Sequence, residues 1–163
     1  MLKTIQNKIK RLIPSANGLY NRLILLAGES GSGKTAVLSV LAEEYKTGVI
    51  SLNRVLSFQL LDLTAKQRVL KVRESVAGMI QEPVVFLDNT EILFDAGLQQ
   101  DPLKLLQGLS RNHLIIAAWN GKYQKNRLIC AEPGHPEYRV YDPEDTIIVC
   151  MDGRTSIDAD KRP

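Results

Sequence analysis

The sequence predicts an α/β domain: a three-layer sandwich in which helices cover both faces of a mostly parallel five-stranded sheet, built on a phosphate-binding P-loop. Three observations predict it. Gly28-Glu29-Ser30-Gly31-Ser32-Gly33-Lys34-Thr35 fits G-x-x-x-x-G-K-[ST]. Short apolar runs near residues 23–27, 49–52, 84–88, 114–119 and 146–150 read as buried strands. Stretches of helical periodicity separate those runs, as parallel strands joined by crossovers require.

Composition bounds the rest. The 163 residues fit one domain, with 1–19 as an N-terminal helix and loop, 20–150 as the core and 151–163 as a polar tail expected to fray. A hydrophobic share of 44% beside 24% charged residues excludes a disordered chain. No run approaches the roughly eighteen apolar residues of a membrane span, so no membrane contact is expected. The N-terminus lacks the apolar segment of a secretory signal. With Cys130 and Cys150 as the only cysteines, a reducing, cytoplasmic setting is expected. Those two cysteines with His113 and His135 do not make a zinc spacing. A net charge of +3 permits an acidic partner such as DNA without demanding one.

In chain order, Leu2, Ile5, Ile9, Leu12 and Ile13 recur at helical spacing, with Lys3, Lys8, Lys10 and Arg11 on the other face. That helix either packs on the domain or offers a basic face to nucleic acid or a partner. Pro14 to Gly18 reads as the loop that ends it. Tyr20, just before the first strand, is either a packed side chain or a neighbour of a nucleotide base. The first strand feeds the glycine loop, and Val37, Leu38, Val40 and Leu41 carry a helix from Thr35 to about Lys46. Residues 54–81 read as helix with a break near Asp62 to Thr64. A further helical stretch runs from about Glu91 to Leu109, interrupted near Gly97 and Asp101-Pro102. Residues 121–139 are polar and read as a long loop, basic at Lys122-Tyr123-Gln124-Lys125-Asn126-Arg127.

The loop's residue types follow from its chemistry. Glycine lets the backbone turn with N–H groups inward and no Cβ in the way. Those N–H groups, with the positive end of the next helix, make an anion site over Gly28, Glu29, Ser30, Gly31, Ser32, Gly33, Lys34, Thr35 and Ala36. Lys34 is expected to reach the β- and γ-phosphates of ATP, and the Thr35 hydroxyl to hold Mg²⁺. Pro83-Val84-Val85-Phe86-Leu87-Asp88 is an apolar strand ending in a carboxylate, the Walker B pattern. Asp88 is expected in the Mg²⁺ shell, and Asp88-Asn89-Thr90-Glu91 also looks like a helix start.

The order of elements resembles the additional-strand class of P-loop ATPases, which holds the AAA+ and STAND groups. In that class a polar residue ends the strand after Walker B and senses the γ-phosphate. Asn120 stands there, although it equally suits a turn cap before Gly121. The class places a Glu directly after the Walker B Asp; here that position is Asn89, and the nearest carboxylate is Glu91. Glu91 is therefore the candidate to activate water, with Asn89 and Asn120 as polar helpers, and hydrolysis is less secure than binding. AAA+ proteins carry a helical lid after the core, and with the sequence ending at Pro163 none is expected. By the same resemblance an arginine finger falls at Arg127 or Arg139, with Arg111 a weaker candidate. Nucleotide-dependent self-association is then expected.

Several strings narrow the resemblance: Tyr20 to Gly28, Ser51-Leu52-Asn53, Lys66-Gln67-Arg68, Leu87-Asp88-Asn89-Thr90-Glu91-Ile92-Leu93-Phe94 and Ala118-Trp119-Asn120-Gly121. They resemble the BrxF family, small P-loop proteins of type 3 BREX phage-exclusion systems, over roughly residues 14–150. The resemblance implies an ATP-dependent subunit of a defence complex, with other BREX proteins as partners. Two other classes compete: a small-molecule kinase with the basic loop 122–127 as a lid, and a non-hydrolysing assembly module stabilised by nucleotide.

Overall fold

The computed structural model describes residues 2–130 and 139–157. Pro133, Gly134, His135 and Pro136 of the expected loop, residues 158–163 of the expected tail and the Leu2 side chain lie outside what is described.

The apolar runs form the sheet. Its strands are β1 (Leu23–Gly28), β2 (Val49–Ser51), β3 (Val84–Asp88), β4 (Leu114–Asn120) and β8 (Ile147–Cys150), in the order β2-β3-β4-β1-β8. Every neighbouring pair is parallel. The P-loop strand and the Asp88 strand thus flank β4, whose last residue Asn120 lies in register with Gly28. Three site-bearing strand ends point the same way, where ligands collect on open α/β sheets.

Alternation along each strand sorts the core into two layers. Leu23, Leu25 and Ala27 of β1 face one cluster; Ile24 and Leu26 face the other. The second cluster is covered by α1 (Leu2–Asn17) and α2 (Lys34–Glu44). The first is covered by α3 (Leu52–Leu60), α4 (Ala65–Met79) and α5 (Pro102–Leu109). The break expected near Asp62 to Thr64 is the α3–α4 turn, after which Thr64 and Gln67 cap α4 reciprocally.

Four expectations are corrected. The first helix does not stop at Pro14 but runs to Asn17. Ile13 and Ala16 are buried in its last turns, and that packing outweighs the missing N–H of an exposed Pro14. The stretch after Asp88 is not one interrupted helix. It begins as two short 3-10 helices, Thr90–Phe94 and Ala96–Leu98, parted by an extended Asp95, and Gln99 adopts a left-handed φ before α5 starts at Pro102.

Residues 121–139 are not a loop throughout. Lys122–Gln124 and Arg127–Cys130 form an antiparallel hairpin, β5 and β6, and Arg139–Tyr141 adds β7. Lys125 and Asn126 both have positive φ, as a two-residue type I′ turn needs. Leu128, Tyr123 and Tyr141 pack this small sheet onto the first core cluster. The tail is packed as far as residue 157: Thr155 bridges to Val149, and the Ser156 hydroxyl accepts the Ile148 N–H.

Candidate functional site

The glycine loop connects the end of β1 to α2. Gly31 and Gly33 have φ of 81° and 102°, values that a Cβ strains, so glycine is needed at both. Gly28 needs to be small for another reason: a Cβ there would lie 2.6 Å from Ser32 Oγ and 2.7 Å from Met151 Cγ. No side chain caps the start of α2. The first-turn N–H groups of α2 therefore point out of the helix end as donors for an anion.

Lys34 is the first residue of α2. It is 6% exposed, and its Nζ donates to the carbonyls of Gly28 and Glu29, both at 2.7 Å. Burial pushes its pKa below the ordinary lysine value, while Glu91, Asp88 and Glu29 pull it back up. A desolvated cation next to three acids gains when a polyanion arrives.

Asp88 ends β3 as a buried carboxylate, and its Oδ2 accepts the Thr35 hydroxyl at 2.7 Å. Two elements fifty-three positions apart thus meet at one point. A hydroxyl and a carboxylate are hard oxygen donors, which suits Mg²⁺ shared with substrate phosphates. Among the described residues no three His, Cys, Asp or Glu side chains form a metal cage. The pair therefore fits a magnesium held largely by phosphate and water, which would neutralise charge on those phosphates. Asp88 does not cap the following helix. The N-cap there is Asn89, with no side-chain cap, and Asp88 Oδ1 accepts the Asn89 N–H.

Beside this pair, Asn120 Nδ2 donates to Glu91 Oε1 at 2.6 Å. The two residues singled out for water and γ-phosphate therefore touch. Below them Thr90 is buried and donates to the Ala118 carbonyl, tying the 3-10 turn to β4. Phe94 on that turn packs edge-on against Trp119, centroids 4.9 Å apart, and Trp119 packs against Tyr141 at 5.2 Å. Asn89 turns the other way: its amide donates to Ser51 Oγ at the end of β2.

The arginines are held elsewhere in the chain. Arg127 pairs with Asp142 at 3.1 Å. Arg111 lies 5.0 Å over the ring of Tyr20, which is 68% exposed and so is not a packed tyrosine. Both Arg111 and Tyr20 precede parallel strands and sit at the sheet end opposite the loop. Asn120 is a seven-residue strand away, about 20 Å at ~3.3 Å per residue. Tyr20 is therefore no neighbour of a base bound at this loop. Arg139 opens β7 and is exposed.

A family model matches this arrangement. The model described as AAA, ATPase family associated with various cellular activities, matches residues 24–127, a span holding the loop, Asp88, Glu91 and Asn120. The chain belongs to the AAA family. A curated relative, the Brefeldin A resistance protein of Schizosaccharomyces pombe, is 30% identical over 102 residues. That match covers 59% of this chain, which spans about 6% of the relative's length. A solved structure of C. elegans PCH-2 is similar with a TM-score of 0.45 and 20% identity, covering 74% of this chain and 37% of that one. Membership of that ATPase family makes the chain a nucleotide-binding domain, and the matched span contains Lys34, Thr35 and Asp88. No helix among the described residues is long and apolar enough to cross a membrane.

Sequence reasoning missed Ser51, which bonds Asn89, and Met151, which leaves no room for a Cβ on Gly28; Lys122 it named only within the basic lid loop 122–127, not beside Glu29. Only Lys122 left a usable signal. Two short segments separated by two residues, Lys125 and Asn126, is hairpin spacing, and Lys122 opens that hairpin directly after β4, beside the loop.

Proposed function

We propose that this chain is a magnesium-dependent ATPase or ATP switch that works as a cytoplasmic subunit of a BREX-type phage-exclusion complex. The observation that carries the nucleotide reading is the 2.7 Å contact between the Thr35 hydroxyl and Asp88, which joins the phosphate loop to the Walker B strand. The Glu91–Asn120 contact supports hydrolysis. It sets a carboxylate on the turn that follows Asp88 and an amide able to orient it. The defence role is supported by the Asp88-to-Phe94 and Ala118-to-Gly121 strings. Other BREX proteins are the partners, and DNA is engaged through them or through basic surface residues. The arginine that completes phosphate charge stabilisation comes from a neighbouring copy or partner, with Arg127 and Arg139 its first candidates.

Purified protein with labelled ATP and magnesium, with and without DNA, tests this reading. Release of free phosphate that rises more than linearly with protein concentration is expected. Intact ATP retained on the protein would replace it with a non-hydrolysing assembly module. Label on a small acceptor would replace it with a kinase.

A further inference from the structure

The hairpin closes onto the phosphate loop at one place. The Gly121 N–H donates to the Gly28 carbonyl at 3.2 Å, the same carbonyl that Lys34 holds. A Cβ on Gly121 would stand 2.0 Å from the Ile129 carbonyl, so glycine lets β6 come this close. The next residue, Lys122, brings its Nζ 3.7 Å from Glu29 Oε1 in the second position of the loop. Glu29 and Lys122 both line a cleft of about 540 Å³ beside the loop.

We infer that Lys122, which has Glu29 among its partners over the loop, is a second phosphate-contacting cation that is transferred to the nucleotide's phosphates when they bind. This rests on the nucleotide reading of the loop. The Lys122 and Glu29 side chains are 45% and 71% exposed, and their separation is long for an ion pair. Such a pair is weak in water and easily exchanged. Glu29 offers one negative charge to Lys122, whereas a triphosphate offers several in the same few ångströms. Glu29 also repels the incoming polyanion, so the loop's own acid opposes binding while Lys122 favours it. The hairpin that carries Lys122 then follows the nucleotide, and the loop gains a second wall.

Opposite signs test this. Titrate fluorescent ATP, and inorganic tripolyphosphate as competitor, against wild type, Lys122→Gln, Lys122→Arg and Glu29→Gln in magnesium. Lys122→Gln is expected to weaken both ligands about tenfold, as for a lost charge-assisted hydrogen bond. Lys122→Arg should keep most of the affinity, and Glu29→Gln should tighten both ligands about two- to threefold. A purely structural tether would make Lys122→Gln and Glu29→Gln shift in the same direction, and that result overturns the proposal. So does unchanged affinity in Lys122→Gln. If Lys122→Gln does not fold, a Glu29→Gln affinity equal to or weaker than wild type overturns it as well. Wild type that binds neither probe would instead remove the nucleotide reading on which the inference stands.

Discussion

Two corners of the site are built on different supports. The metal corner joins Thr35, on the first turn of an eleven-residue α-helix, to Asp88, the buried last residue of a strand paired on both sides. The water corner joins Asn120, at a strand end, to Glu91, exposed on a five-residue 3-10 helix. A 3-10 turn has poorer hydrogen-bond geometry than an α-helix, so its side chains are less firmly placed. On the proposed ATPase reading, phosphate and metal would be met by groups already fixed, whereas Glu91, the proposed activator of water, sits on a support that a nucleotide or partner could shift. Binding would then be preorganised, and hydrolysis would be the step left open to control.

Removing the cation of the phosphate loop, next to the metal corner, has the largest expected effect. Lys34→Ala is expected to abolish measurable ATP binding with the fold retained, because Lys34 contacts loop carbonyls rather than the apolar clusters. Fluorescent-ATP titration beside circular dichroism checks both halves. A folded variant with wild-type affinity would remove the loop from the site.

Glu91→Gln should separate the corners most sharply. The amide keeps the size and can still bond Asn120, but it cannot take a proton. Turnover is expected to fall about a hundredfold with ATP affinity little changed. If affinity falls in step with turnover, Glu91 belongs to binding and the two corners are one.

Asp88→Ala comes next. It strips the Thr35 hydroxyl of its acceptor and the metal of its carboxylate. A loss of about tenfold is expected in magnesium and a much smaller one in EDTA, the scale of a weakened metal shell. Equal losses in both buffers would make Asp88 a structural partner of Thr35 only.

The same two corners differ in how far the sequence foretold them. Residues 28–35 and Asp88 are legible because each fills a chemical slot at fixed spacing on a strand or helix that periodicity reveals. Glu91 and Asn120 were named separately, but their contact depends on the strand order, in which β4 lies between β1 and β3. The 3-10 turn was hidden by left-handed φ at Asn89, a backbone choice that the helix-start pattern of Asp88 to Glu91 did not suggest. The hairpin was missed because Lys122, Gln124 and Arg127 make its strands look like a polar loop. Its apolar side, Tyr123, Leu128 and Tyr141, finds its partners in the core cluster of the main sheet, not in its own short strands. The burial of Lys34 is not legible in the sequence, because a lysine in a glycine loop gives no sign that two carbonyls will fold over it.

The smallest expected effect probes the support under the water corner. Phe94 follows Glu91 on the same turn, and its ring meets both Trp119 and Tyr141 edge-on. Tyr141 has its pKa pushed up to about 12, first by burial and then by Asp101 and Cys130, with Arg139 acting the other way. In the unfolded chain a tyrosine ionises near pH 10. The folded-state pKa is the higher one, so this contribution to stability is complete below pH ~10 and is lost as pH rises toward 12. Tyr141→Phe keeps the ring and removes the proton. At pH 7 the variant should match wild type in urea midpoint to within a small shift, and between pH 10 and 12 it should lose less stability. Because the chain holds five tyrosines, the readout is the difference between the two midpoints at each pH, in which the other four cancel. A difference that widens in favour of Phe across this window places the protonated phenol in the packing beneath Glu91. Two parallel curves would mean that Tyr141 ionises as freely folded as unfolded, and that the aromatic support does not depend on its hydroxyl.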